Sequence, residues 1–141
     1  MQQTDTAESP EIEVGLYLIG DFAPDKIGLA FDVVPIFSAA KGSERRHKKT
    51  GRLLGIYEEA TWGFTSGQAV MSNEISDHVA WLIEKSSAAR GLVNDHVHAF
   101  IEITMRTTLY STSCMLPKDL LFFARELSAE IGIGAKFVSS A

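Results

Sequence analysis

A chain of 141 residues, 45% hydrophobic and 22% charged, has the size and make-up of one globular domain, long enough to hold together without disulfides or metals. Its single cysteine, Cys114, excludes an intrachain disulfide, and no apolar run approaches the ~18 residues of a membrane-spanning helix. The net charge of −5 speaks against a general nucleic-acid binder, but it averages two unlike parts: residues 41–52 hold six basic residues and one acid, net +5, while the rest hold seven basic residues and seventeen acids, net −10.

Residues 1–11 read as a disordered tail, polar and acidic and closed by Pro10. They lack the basic start and apolar core of a signal peptide, so the chain is expected in the cytoplasm. Residues 13–20 (Glu-Val-Gly-Leu-Tyr-Leu-Ile-Gly) read as a strand that is apolar on both faces, which places it centrally in a sheet. After a turn at 21–23, Pro24 suits the first position of a short helix with Ile27, Ala30 and Phe31 toward the core. Residues 33–38 read as a second strand, where Pro35 marks an edge or a bulge. The basic loop follows. A third strand begins near Leu53 or Tyr57 and runs through Trp62 and Phe64 to a turn at Ser66-Gly67.

A second helix is expected from Ser72 or Asn73, both good N-caps, with Glu74 and Asp77 in its first turn. Ile75, Val79, Leu82 and Ile83 form its apolar stripe, and it ends between Ser86 and Gly91. Residues 97–105 alternate cleanly: Val97, Ala99, Ile101, Ile103 and Met105 share one strand face, and His98, Phe100, Glu102 and Thr104 the other. Residues 107–116 read as a loop or a short extra strand. A third helix opens at Pro117, with Leu120, Phe123, Ala124, Leu127 and Ile131 on one face; Gly132 and Gly134 end it, and 135–139 make a last short strand. The order predicts one α+β domain over residues 12–141. It would be a ferredoxin-like two-layer sandwich, with a mostly antiparallel sheet, helices on one face and an added C-terminal helix and strand.

The basic loop is the first candidate site. Lys41, Arg45, Arg46, Lys48, Lys49 and Arg52, with Gly42 and Gly51 to bend the backbone, would suit phosphates, carboxylates or an acidic partner protein. Charged loops are common, and the plainer reading, which the residues favour, is a mobile solvated hairpin whose charge serves solubility. No aromatic residue lies inside it, which disfavours nucleic acid. Trp62 would line a groove beneath this loop or belong to the core, and Trp81 packs against the sheet. His96 and His98 lie two apart, on one face of a strand, as some metal sites require; a third ligand would have to come from His78, Glu102 or Cys114, and no metal motif accompanies them. Cys114 lacks a nucleophile signature, and Met115 and Leu116 beside it suit a packed thiol. Asp21, Asp25 and Asp32 occupy turn and helix-end positions that acids commonly fill. Phosphate-binding glycine loops are absent, and no cofactor is expected.

Taken in order, several segments resemble a bacterial family, domain of unknown function 4279. They are Gly20-Asp21-Phe22 at the end of the first strand, Pro24-Asp25 before the short helix and the Pro35 strand leading to Lys41-Gly42. The basic stretch, Ala60-Thr61-Trp62 and Pro117-Lys118-Asp119-Leu120-Leu121 complete the pattern. The resemblance spans about residues 13–139 and implies a compact α+β domain from a bacterium; it brings no catalytic residue. The long basic insertion and Ser38-Ala39-Ala40 depart from the pattern. The expected function is a binding or regulatory module, in preference to an enzyme, that meets a protein or anionic ligand through residues 41–52. A small-molecule site beside Trp62, His96 and His98 is the second reading. A homodimer formed through an uncovered sheet face bearing Phe100 is the third.

Overall fold

The computed structural model describes residues 11–107 and 115–137; Cys114, residues 1–10 and most of 107–116 lie outside the described residues. Strand β1 (Glu11–Gly20) runs through the middle of a five-stranded sheet. It pairs antiparallel with β5 (Ala60–Thr65) on one side and β6 (Val97–Thr107) on the other. Beyond β5 lies β2 (Phe37–Ala39), antiparallel; beyond β6 lies β7 (Glu130–Phe137), parallel. The order is β2-β5-β1-β6-β7, a mixed α+β sheet with one parallel pair. Strands β3 (Glu44–Arg46) and β4 (Leu53–Ile56) make a separate two-stranded hairpin.

The core follows from the alternation. Val14, Leu16 and Leu18 of β1, Trp62 and Phe64 of β5, and Val97, Ala99, Ile101, Ile103 and Met105 of β6 are all buried on one sheet face. Against them pack Ile27 and Phe31 of α1 (Pro24–Phe31), Val79 and Leu82 of α2 (Ile75–Lys85), and Ala89 of α3 (Ala89–Leu92). Leu120, Phe123 and Ala124 of α4 (Lys118–Glu126) close the same cluster. Each fully buried Leu or Phe side chain contributes roughly 1.5–3 kcal/mol over its exposed form. The expected helix signals operate at α1, where Pro24 stands in the first turn and Asp32 caps the C-terminus in the left-handed region, φ 54°.

Four boundaries differ from the sequence expectation, besides the start of α2, which has Glu74 at its N-cap in place of Ser72 or Asn73. The apolar stretch from Leu53 to Phe64 is two strands, because exposed Glu58 and Glu59 turn the chain and only 60–65 joins the central sheet. β2 begins at Phe37, two residues past Pro35, at the sheet edge where a missing N–H does least harm. Glu11 is strand rather than tail, in register with Arg106. The fourth correction is at α4: it ends at Glu126, and Ser128, not a glycine, takes the left-handed turn at φ 49°. The Ala129 N–H then bonds Ala124 O at 2.8 Å and the chain re-extends at Glu130. Ile131, Gly132 and Gly134 therefore lie in β7 beside β6, not in or after a helix.

On the other sheet face β1 presents Glu13, Gly15, Tyr17 and Ile19, and β6 presents His98, Phe100, Glu102 and Thr104. The helix residues of the core all lie opposite. Tyr17 lies across Gly63 and Gly15, and a Cβ at Gly63 would run into its ring. Glycine is required there by close approach, and the tyrosine ring covers the backbone that the glycines leave bare.

Candidate functional site: a basic hairpin and an open sheet face

The basic segment is an ordered hairpin. The β2–β5 pairing stops at Ala39↔Thr61, and Gly42 N–H to Tyr57 O (2.8 Å) and Tyr57 N–H to Ser43 O (2.9 Å) carry it onward. Pairing then resumes at Glu44↔Ile56 and Arg45↔Gly55, with a bulge before Arg46↔Leu53. At the tip, His47 Nδ1 accepts the N–H groups of Lys49 (3.2 Å) and Thr50 (3.3 Å), and Gly51 takes φ 71°. Arg46 donates to Gly51 O at 2.9 Å and pairs with Glu44 at 2.7 Å. Among the described residues it is the one cation of the six with an ion pair. The Arg45 guanidinium lies 5.6 Å from the centre of the Tyr57 ring, which meets Phe37 edge-on at 5.8 Å, so the hairpin root is tied to the open sheet face. Leu53, Leu54 and Ile56 are at least half exposed on the same hairpin. A two-stranded ribbon carrying greasy side chains into water is poorly stabilised alone.

Trp62 is not part of this surface. It is fully buried, with its ring 4.9 Å from Phe31 and 5.4 Å from Phe64, which makes it core, the alternative the sequence had left open. His96 and His98 line a shallow cleft of about 240 Å³ at the end of β1, with Gly20, Asp21, Lys41, Glu58, Glu59 and Asp95. His78 sits on the helix side of the sheet and Cys114 lies outside the described residues. Among the described residues no three His, Cys, Asp or Glu side chains converge as metal ligands.

On the open face, burial raises the Tyr17 phenol above its ordinary value of 10.0, and the charges of Glu102 and then Glu13 push it further. Because the folded-state value lies above the unfolded one, the stabilisation is complete below pH 10.0 and is lost as pH rises through the folded value. Ultraviolet absorbance titration of wild type and Tyr17→Phe should therefore give a difference curve with its midpoint above 10.0. The urea midpoint of the wild type should fall more steeply than that of the variant above that pH. A difference midpoint at or below the ordinary value would mean the ring is solvated.

No family model, no curated protein and no solved structure matches the chain. Function has to be read from its own geometry.

One buried polar group, considered above only as a distant third metal ligand, has a structural role that the motifs do not show. His78 is 1% exposed, with Nδ1 2.5 Å from Ser66 Oγ and Nε2 2.6 Å from Ser72 O. The signal was present: His78 stands three residues after Ile75 and four before Leu82, inside the apolar stripe of α2. Both its nitrogens are committed to neighbours, so it holds structure together rather than offering a ligand.

Proposed function

We propose that the protein is a binding or regulatory module that meets an acidic or anionic partner through residues 41–52. The observation that carries this reading is the ordered hairpin with five cations lacking an ion pair among the described residues, on a body of net −10. A cluster of this kind raises the local concentration of anions and speeds their encounter. We also read the fold as ferredoxin-like: β6-β1-β5-β2 in space, with antiparallel neighbours throughout, supports that plan, α4 and β7 being the addition. The segments between Gly20 and Leu121 that resemble the domain of unknown function 4279 family support membership of it, and with it a bacterial source; we read the protein separately as cytoplasmic.

A polyglutamate peptide titrated into the labelled protein tests the reading. Amide shifts are expected in residues 41–57, and they should vanish when Arg45, Arg46, Lys48 and Lys49 are all replaced by serine. The melting temperature should move little, because all four side chains are exposed. Equal shifts in the variant, or none at the hairpin of the wild type, would end it.

A further inference from the structure

The open sheet face has the complement of the hairpin's chemistry. Phe37, Gly63, Tyr17, Phe100 and Glu130 stand side by side across five strands, and Gly15, Glu102 and Gly132 across the next row. The result is an aromatic floor lowered by glycines, with Glu13, Glu102 and Glu130 beside it and a cationic pair, Arg106 and Lys136, at the far end of β6 and β7. Phe37 and Phe100 each expose more than a third of their surface, and Glu102 and Glu130 are exposed. The hairpin offers the matching parts: Leu54 and Ile56, which share one side of β4, for the floor, and Lys48, Lys49 and Arg52 toward its tip for the rim.

We infer that the basic hairpin of one copy docks on the open sheet face of a second copy, and reciprocally, to give a two-fold dimer. This rests on the reading of the hairpin as a contact surface and names its partner. The hairpin leaves its own face open: beyond the turn at 40–43, where Ser43 N–H bonds Ala40 O at 3.1 Å, Tyr57 alone reaches back to Phe37, while Leu53, Leu54 and Ile56 stay at least half exposed and Phe37 and Phe100 more than a third. A reciprocal exchange closes on itself, so it yields a dimer and not a filament. It covers two things at once, the exposed Leu54 and Ile56 and an uncovered aromatic face, and sets a +5 arm against the face's carboxylates. A duplex groove also admits a β-ribbon, but phosphates leave Leu53, Leu54 and Ile56 without apolar contact.

Two charge-reversal variants decide it. One carries Lys48→Glu, Lys49→Glu and Arg52→Glu on the arm; the other carries Glu102→Lys and Glu130→Lys on the face. All five positions are exposed, and unchanged melting curves verify folding. Light scattering should give twice the chain mass for the wild type at low ionic strength, with self-association weakened at least about tenfold in ~1 M salt. Each variant alone should be monomeric, and an equimolar mixture of the two should recover the dimer, since both halves of the interface are again complementary. A Glu58→Lys, Glu59→Lys variant at the cleft should remain dimeric. A monomeric wild type, a mixture that stays monomeric, or dissociation by the cleft variant but not the face variant would overturn the proposal. So would a shift of duplex DNA by the wild type at ~0.15 M salt. Polyglutamate shifts at the hairpin of a strictly monomeric wild type would overturn the dimer and leave the anionic-partner reading standing.

Discussion

Trp62→Ala is expected to lower stability by about 3–5 kcal/mol, read as a drop in the urea midpoint with an unchanged slope. The ring has no exposed surface and sits where three elements meet: Phe31 of α1 at 4.9 Å, Phe64 of β5 at 5.4 Å, and Leu18 of β1 across the strand pair. Phe31 also meets Phe64 edge-on at 5.7 Å, and Phe64 meets Trp81 of α2 at the same distance. Each edge contact adds ~0.5–1.5 kcal/mol to the area buried. The neighbours cannot collapse into the vacated space, because each is held by a different backbone element. Against a total stability of ~5–15 kcal/mol, the loss is a large fraction. Trp62→Phe keeps part of the contact and should cost less than half as much. The hairpin is remote in function, so polyglutamate shifts should persist in any alanine variant that remains folded. A loss below ~1 kcal/mol would mean the ring is not core, and Trp62 would return to the groove beneath the hairpin.

Much of the sheet was readable because one physical signal dominates it. Residues 97–105 alternate without exception, and the structure buries Val97, Ala99, Ile101, Ile103 and Met105 as that pattern requires. β1 was read as central from apolar residues on both faces, and it is central, yet the two faces are apolar for different reasons. Val14, Leu16 and Leu18 meet helices, while Tyr17 covers glycines on a face that no core helix residue reaches. Which side of a sheet each crossover takes is a property of the whole chain, and local patterning does not carry it. The end of α4 was misread because two glycines advertised a stop, whereas Ser128 took the left-handed turn four residues earlier than Gly132. Propensity is a preference of a few tenths to one kcal/mol, and the pairing of β7 along β6 outweighs it.

The site was legible in charge and illegible in form. Six cations in twelve residues stand out in any reading, but Glu44-Arg45-Arg46 has neither apolar alternation nor strand propensity, so it reads as loop. Its extended shape comes from continuation of the β2–β5 ladder through Gly42, Ser43 and Tyr57, a pairing set by the sheet below it. Conversely, Leu53, Leu54 and Ile56 look like the opening of a core strand and are among the more exposed apolar side chains of the described residues. The hydrophobic pattern reports what a segment would bury; it does not say against which molecule.

His78→Leu should cost about 3 kcal/mol and Ser66→Ala about 2 kcal/mol, and the double variant should cost clearly less than their sum. The reason is a relay of four bonds that locks β1, β5 and α2 together. The β1–β5 ladder ends at Gly15↔Thr65, and Ser66 extends it by one step: its N–H donates to Val14 O at 2.9 Å, and its Oγ accepts the Val14 N–H at 3.0 Å. Ser72 O can only accept, so His78 Nε2 carries the proton donated to it, and Nδ1 accepts from the Ser66 hydroxyl at 2.5 Å. Every donor in the relay thus has its acceptor, and the Ser66 and His78 side chains at its centre are closed to water. Leucine at 78 strands the Ser66 hydroxyl and the Ser72 carbonyl; alanine at 66 strands the Val14 N–H and the histidine nitrogen. Both variants lose the same Ser66–His78 bond, which is counted twice when single effects are added, hence the shortfall in the double variant. Amide exchange at Val14 separates this from mere packing: protection should fall sharply in Ser66→Ala and much less in His78→Leu, which keeps the oxygen that the amide reaches. Strict additivity, or equal loss of Val14 protection in the two variants, would show the histidine to be a space-filler.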